Sequence, residues 1–203
     1  LLRHHLPELL ADLREHIPGL RLTLRDAEPS DIQDFLVRQQ SDLALSIIHP
    51  RLSVVLKAVQ LMRLPLALLL PARHKAKKLS DLLDDSSGEI RVKVPLVGLP
   101  ANEEIMQLFQ KEIDTRNLIW PVAVEVDSLD GVQQFVRCGF GAGSTVKNPG
   151  AELPKGLKSI ELAEFPALEI GIVYQGTLKP VAKQFLDAAK ERAKSIISND
   201  KAK

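Results

Sequence analysis

The stretch VAVEVDSLDGVQQFVRCGFGAG, Val122 to Gly143, reads as a strand, a helix and a glycine turn in succession. Ile119 to Val126 is an apolar strand. Ser128 is placed to cap a helix whose inner face is Val132, Phe135 and Val136, and Gly139 ends it. A short strand from about Ala142 to Val146 follows. Upstream, Val94 to Leu99 is a strand, and Asn102 is placed to cap a helix facing inward through Ile105, Leu108, Phe109 and Ile113. Downstream, a loop rich in proline, glycine and lysine runs to about Lys158. Leu168 to Tyr174 is then a strand. The chain closes with a helix from about Lys179 to Ile197, with Val181, Phe185, Ala188, Ala189 and Ile196 inside.

The first third repeats the alternation. Leu2, Leu6, Leu9, Leu10, Leu13 and Ile17 make an amphipathic helix that Pro18-Gly19 ends. Leu20, Leu22 and Leu24 alternate with Arg21, Thr23 and Arg25 at strand period. Ser30 or Asp31 is placed to cap a helix carrying Ile32, Phe35 and Leu36, and Leu43 to Ile48 is a strand. Val54 to Leu61 and Leu64 to Leu70 read as two more strands. A Lys75-Lys77-Lys78 cluster, a short helix from about Leu79 to Leu83 and a loop over Asp84 to Gly88 link the two rounds. Helices alternating with strands predict an α/β fold with parallel strands and crossover helices. Such lobes hold ligands at the carboxyl ends of their strands.

Composition narrows the function classes. The 203 residues are 45% hydrophobic and 26% charged, ordinary soluble globular usage, and enough to bury a core without metal or disulfide. A net charge of +1 and an isoelectric point near 8.0 make the chain as it stands a poor candidate for gripping nucleic acid. Aromatics at 4% argue against a stacking platform for single strands; Trp120 and Tyr174 read as core or rim. The single cysteine, Cys138, forms no internal disulfide and reads as a small buried apolar residue. The longest apolar run, Leu64 to Leu70, is far short of a membrane span. The opening residues run straight into a helical pattern without a signal peptide, which reads as cytoplasmic.

Motifs of chemistry are weak. Gly139-Phe140-Gly141-Ala142-Gly143 follows a helix and precedes a strand, the reverse of a dinucleotide loop, and reads as a cap and turn. His4, His5, His16, His49 and His74 lack metal-ligand spacing; adjacent helical residues point about 100° apart. No nucleophile, base and orienting group can be assembled, so neither catalysis nor a cofactor is indicated. Helix starts present backbone amides that favour anions. Three such turns are candidates: Pro29-Ser30-Asp31, Pro100-Ala101-Asn102 and Asp127-Ser128. For each residue a plain cap or loop role competes with ligand contact, and Glu28, Asp31 and Asp127 weigh against an anion.

Several segments together resemble the effector domain of LysR-type transcription regulators. They are LPELLADLREHIPGLRLTLRD (Leu6–Asp26), DIQDFLVRQQSDLALSI (Asp31–Ile47), LPLALLLPARH (Leu64–His74) and the Val122–Gly143 stretch. Lys75 departs from the proline that often follows the histidine in that family. The resemblance implies a two-lobed, type 2 periplasmic-binding-protein-like fold with hinge crossovers. Lobe I would comprise residues 1–69 and 167–203, and lobe II residues 70–166. It also implies a small effector, an organic anion, held between the lobes by Pro29, Ser30, Pro100, Ala101, Asn102, Asp127 and Ser128. Ser46 joins that set by resemblance alone. The family's first strand and its DNA-binding winged helix-turn-helix are expected upstream of these residues, so DNA would be met only through residues outside this chain. Family members pair head to tail, here through the Leu2–Ile17 and Ser128–Gly139 helices, as dimers or tetramers. A periplasmic-type solute-binding protein and an enzyme on the same fold are the alternatives.

Overall fold

A computed structural model describes residues 6–27, 29–49, 51–84 and 90–201. The chain forms two compact units. One is built from residues up to Arg63 together with those from Glu169 onward, and the other from Leu64–Leu168.

In the first unit, helix α1 (Leu6–His16) and helix α2 (Pro29–Val37) precede strands β1 (Ala44–Ile47) and β2 (Leu56–Leu64). The late strand β11 (Leu168–Gln175) and helix α5 (Pro180–Lys201) complete it. The sheet order is β1-β11-β2. β1 runs antiparallel to β11, with Ser46 opposite Gly171, so the parallel pairing expected here is corrected. Neighbouring residues of β11 serve opposite faces, as strand geometry requires. Ile172 packs with Leu9 and Leu13 of α1 and Phe185, Leu186 and Ala189 of α5. Val173 packs with Leu36 of α2 and Leu56. Gly171 is required because a Cβ there would sit 2.4 Å from the Val59 carbonyl oxygen.

The alternating segment Leu20–Arg25 is not a strand. β1 ends its sheet, and no described strand borders Leu20–Arg25, so the alternation has no ladder to join. Leu22 and Leu24 stand 49% and 65% exposed. The residues of the first helix before Leu6 lie outside the described residues. The closing helix buries Ala182, Phe185, Leu186, Ala189, Ala193 and Ile196, but not the expected Val181, which is exposed.

The second unit holds a five-stranded sheet in the order β10-β3-β9-β6-β8. Its members are β3 (Leu66–Pro71), β6 (Leu96–Gly98), β8 (Val122–Glu125), β9 (Ala142–Val146) and β10 (Leu157–Glu161). β6 pairs in parallel with both β8 and β9, while β3 is antiparallel to β9 and β10. β10, which begins where the expected loop ends near Lys158, was not among the expected strands. Helices α3 (Glu104–Thr115) and α4 (Leu129–Arg137) cover opposite faces. Gly143 of β9 faces Val132 and Val136 of α4, while its neighbour Ser144 donates to the Met106 sulfur of α3 at 3.0 Å.

The expected strand from Ile119 to Val126 is two strands in two sheets. β7 (Leu118–Ile119) joins β4 (Leu83–Asp84) and β5 (Ile90–Val92), and β8 begins after Trp120-Pro121. Proline lacks the amide a continuous ladder needs. Buried Trp120 pins the break, donating Nε1–H to the Val94 carbonyl at 2.8 Å and packing on Phe109 with ring centroids 5.6 Å apart. Cys138 is exposed at the C-terminal cap of α4, not buried as expected, because the inner face there is Val132 and Val136. Phe135 is likewise outward, meeting exposed Phe140 edge-on at 5.0 Å.

Candidate functional site

Two of the three expected turns meet in the second unit. β6 and β8 are parallel neighbours with Gly98 opposite Glu125, and Val126 N donates to the Gly98 carbonyl at 3.0 Å. The turns leaving these strands, Leu99–Glu103 and Val126–Ser128, therefore stand side by side at the carboxyl end of the sheet. That is where a doubly wound sheet offers its crevice. Pro100, Ala101, Asn102, Asp127 and Ser128 come together in this way.

The two turns differ in chemistry. Ser128 is the N-cap of α4: its Oγ accepts the Gly131 amide at 3.1 Å. The expected role of Asn102 as cap is corrected. Glu103 holds the N-cap position of α3, and its side chain forms no capping bond. Asn102 instead offers its carbonyl to the Gln107 side chain at 3.0 Å, because Glu103 N closes a tight turn onto Pro100 O at 2.9 Å. The first amides of α3 thus have no side-chain cap. Ala101 and Asn102 are exposed, as are Glu103, Asp127 and Ser128. Exposed carboxylates on both turns oppose a highly charged anion, while helix starts favour a single acceptor group.

Beside α3 lies a groove of about 560 Å³ that includes Ala101. Leu99, Met106 and Val122 line its apolar part, and Lys111 and Glu125 its rim. Much of the rim is satisfied within the helix: Gln110 donates to Asp114 at 2.7 Å, and Thr115 to Lys111 O at 2.8 Å.

In the first unit, Pro29 and Ser30 form the first turn of α2, Pro29 at the first helical position where its missing amide costs nothing. Ser30 and exposed Asp31 are inside the helix rather than capping it, and Glu28 lies outside the described residues. Ser46 is a half-buried position within β1, paired across to Gly171. These residues and the second-unit turns belong to different units.

Sequence reasoning missed a polar anchor in the second unit. Lys158 of β10 donates Nζ–H to the carbonyls of His74 and Ala76, the latter at 2.5 Å. β10 reads LKSIE, with only Leu157 and Ile160 apolar, so the sequence carried little signal for the strand or for the lysine's role. Among the described residues no group of three or more His, Cys, Asp or Glu is placed to hold a metal ion.

A five-stranded sheet with helices on both faces and parallel strand ends in one unit, and a smaller helix-covered sheet closed by the returning chain in the other, define an α/β domain of two units. The chain belongs to the LysR substrate binding domain family, whose sequence profile it matches over residues 1–194. Its fold is the α/β fold of type 2 periplasmic binding proteins. HinK, a LysR family transcriptional regulator from Pseudomonas aeruginosa, shares 24% identity and a TM-score of 0.76, covering 93% of this chain and 65% of its own. The regulatory domain of Synechocystis CcmR, in complex with 2-PG, shares 17% identity and a TM-score of 0.75, with 95% and 92% covered. The effector binding domain of BenM with its effector benzoate shares 15% identity and a TM-score of 0.77, with 94% and 86% covered. At these identities the likeness is one of fold. This chain spans less than two thirds of the length of HinK. No curated protein sequence matches it closely enough to count as a relative. Family and fold are those of a regulatory effector-binding domain and do not favour the solute-binding alternative.

Proposed function

We propose that this chain is the ligand-sensing domain of a LysR-type transcription regulator, and that it binds a small organic acid to control DNA binding by a head outside these residues. The observation that carries the reading is the pair of strand-to-helix turns at the parallel ends of β6 and β8, one capped by Ser128 and one whose N-cap residue, Glu103, makes no side-chain capping bond. The contacts we assign are Pro100, Ala101, Asn102, Asp127 and Ser128 in the second unit and Pro29, Ser30 and Ser46 in the first. The two units are the two lobes of such a domain. Complexes of BenM with benzoate and of CcmR with 2-PG support a small acid as the class. Switching requires the effector to bind two states of the regulator with different affinity.

A thermal-shift screen of metabolites tests this directly. A ligand at about 100 times its Kd stabilises the fold by about 2.7 kcal/mol, so one carboxylate should stand out from the rest. Ala101→Arg, on the exposed turn, should abolish that response while leaving the unliganded midpoint in place. A screen in which no small acid shifts the midpoint overturns the reading, and turnover of the bound ligand would make the chain an enzyme instead.

The same reading includes self-association through α1 and α4. The exposed Phe135–Phe140 pair beside α4 supports it, since edge-to-face aromatics on a surface are favourable to bury. Phe135→Asp should shift sedimentation towards the monomer; a wild-type chain already monomeric at high concentration rejects this interface. Cytoplasmic residence fits a regulator of transcription, and among the described residues no helix is long and apolar enough to cross a membrane.

A further inference from the structure

Between β3 and a one-turn helix at Leu79–Leu82 the chain reads PARHKAKK, Pro71 to Lys78. Ala76 is buried and His74 half-buried, whereas Arg73, Lys75 and Lys77 are all exposed. Ala72 and Arg73 form a turn, and the chain from His74 to Lys77 has no regular structure, so the three exposed cations sit together on one short loop. The backbone that carries them is pinned. Ala72 N donates to Gly156 O at 2.8 Å and His74 N to Pro71 O at 2.8 Å. Ala76 N donates to His74 Nδ1 at 3.2 Å, and Lys158 Nζ donates to the carbonyls of His74 and Ala76. Asp81 closes the loop by accepting the amides of Lys77 and Lys78 at 2.8 and 3.2 Å.

Among the described residues, no carboxylate forms an ion pair with Arg73, Lys75, Lys77 or Lys78. Asp81 is the only acidic residue from Pro71 to Asp81, and its oxygen is occupied by backbone amides. Exposed Lys155 stands next to Gly156, where the second strand-end loop meets Ala72. A flexible lysine run would read as a solvated face. Here a half-buried lysine and an aspartate hold the backbone of the loop, and among the described residues no salt bridge engages its cations, although the Asp81 charge lies near Lys77 and Lys78.

We propose that this basic loop is an auxiliary contact for the phosphate backbone of duplex DNA. The inference rests on the reading of the chain as part of a transcription regulator, for which duplex DNA is the linear polyanion at hand. Exposed cations paired with no carboxylate among the described residues suit phosphate oxygens, which are held chiefly through charge. A net charge of +1 provides no domain-wide field, so the contact is weak and local. Contacts to phosphate position a protein without reading sequence.

The test is fluorescence anisotropy of this chain with a labelled duplex of arbitrary sequence, about 30 base pairs long. Each neutralised phosphate contributes about 0.9 to the slope of log affinity against log salt. Three cations therefore predict a loss of about 40-fold between 50 and 200 mM salt. Arg73→Glu/Lys75→Glu/Lys77→Glu should abolish binding, and the same three positions changed to Gln should flatten the salt slope. A charge-matched set in the first unit, Arg25→Glu/Arg51→Glu/Lys183→Glu, should leave affinity within about twofold. Circular dichroism of each variant reports its folding.

Three outcomes overturn the proposal: no salt-dependent binding by the parent chain at 50 mM, equal loss in the control set, or displacement by low-millimolar inorganic phosphate, which would mark a single-anion site. The metabolite screen run on the same preparation separates the two readings. A chain that senses a metabolite and ignores duplex rejects only this contact; a chain that binds duplex and no metabolite rejects only the sensing role.

Discussion

Ser128 has one hydroxyl for an observed cap and a proposed contact. Its Oγ accepts the Gly131 amide, and it is among the residues proposed to meet the effector. Ser128→Ala should cost about 1 kcal/mol through the lost cap, a fall of about 2–4 °C in a chain of this size. Ser128→Asp keeps the cap and should recover most of that loss. If the hydroxyl also contacts the effector, both variants lose part of the ligand-induced shift, and the alanine variant's loss persists when measured from its own unliganded midpoint. Asp81 gives a prediction of opposite pH sense to a histidine switch. Its pKa is lowered, first by the hydrogen bond from the Lys77 backbone. A depressed carboxylate stabilises above its unfolded pKa, about 3.9, and that contribution is lost as pH falls through the folded value. The amide resonances of Lys77 and Lys78 should therefore hold through mildly acid pH and move only below the usual carboxylate range. Movement near neutral pH would show that the Asp81 carboxylate does not hold these amides.

At the scale of elements, β9 shows how one strand is fitted between two helices. Gly143 admits α4 so closely that a Cβ would lie 2.4 Å from Val132 Cγ1 and 2.7 Å from Val136 Cγ2. Gly143→Ala should destabilise by about 1–3 kcal/mol through overpacking; an unchanged urea midpoint would show that α4 moves away freely. Apolar period made α3, α4, α5, β3 and β11 readable, since each buries one stripe or one run. It misplaced particular residues at their ends. Val181 and Phe135 fit the helical stripe but sit where no neighbour covers them. Leu20–Arg25 has a strand's alternation and no strand's partner. Conversely, β10 has only two apolar residues to mark it, and its pairing with β3, from Leu157 opposite Pro71 to Glu161 opposite Ala67, is long-range. The cap of α3 was misread by one residue, since Asn102 and Glu103 compete for it and the Pro100 turn decides.

For the whole molecule, the two units differ in chain economy. Leu64–Leu168 is continuous, whereas the other unit joins residues up to Arg63 with those from Glu169. The continuous unit has its own buried set, including Leu68, Leu70, Phe109, Ile113, Val132 and Val136. A fragment of residues 64–168 should therefore fold alone and unfold cooperatively in urea; a gradual, baseline-free transition would show that it depends on the rest of the chain. The amino-acid sequence by itself determined the α/β class, the order of most elements and the candidate turns, because hydrophobic period, proline, glycine and capping residues act within a few positions. Only the tertiary structure decided that β6 and β8 lie side by side, that Trp120-Pro121 divides one apolar run between two sheets, and that Lys158 holds a basic loop in place. Those outcomes depend on which strand edges meet and in what register, and the residues that meet are tens of positions apart, beyond the reach of any local pattern.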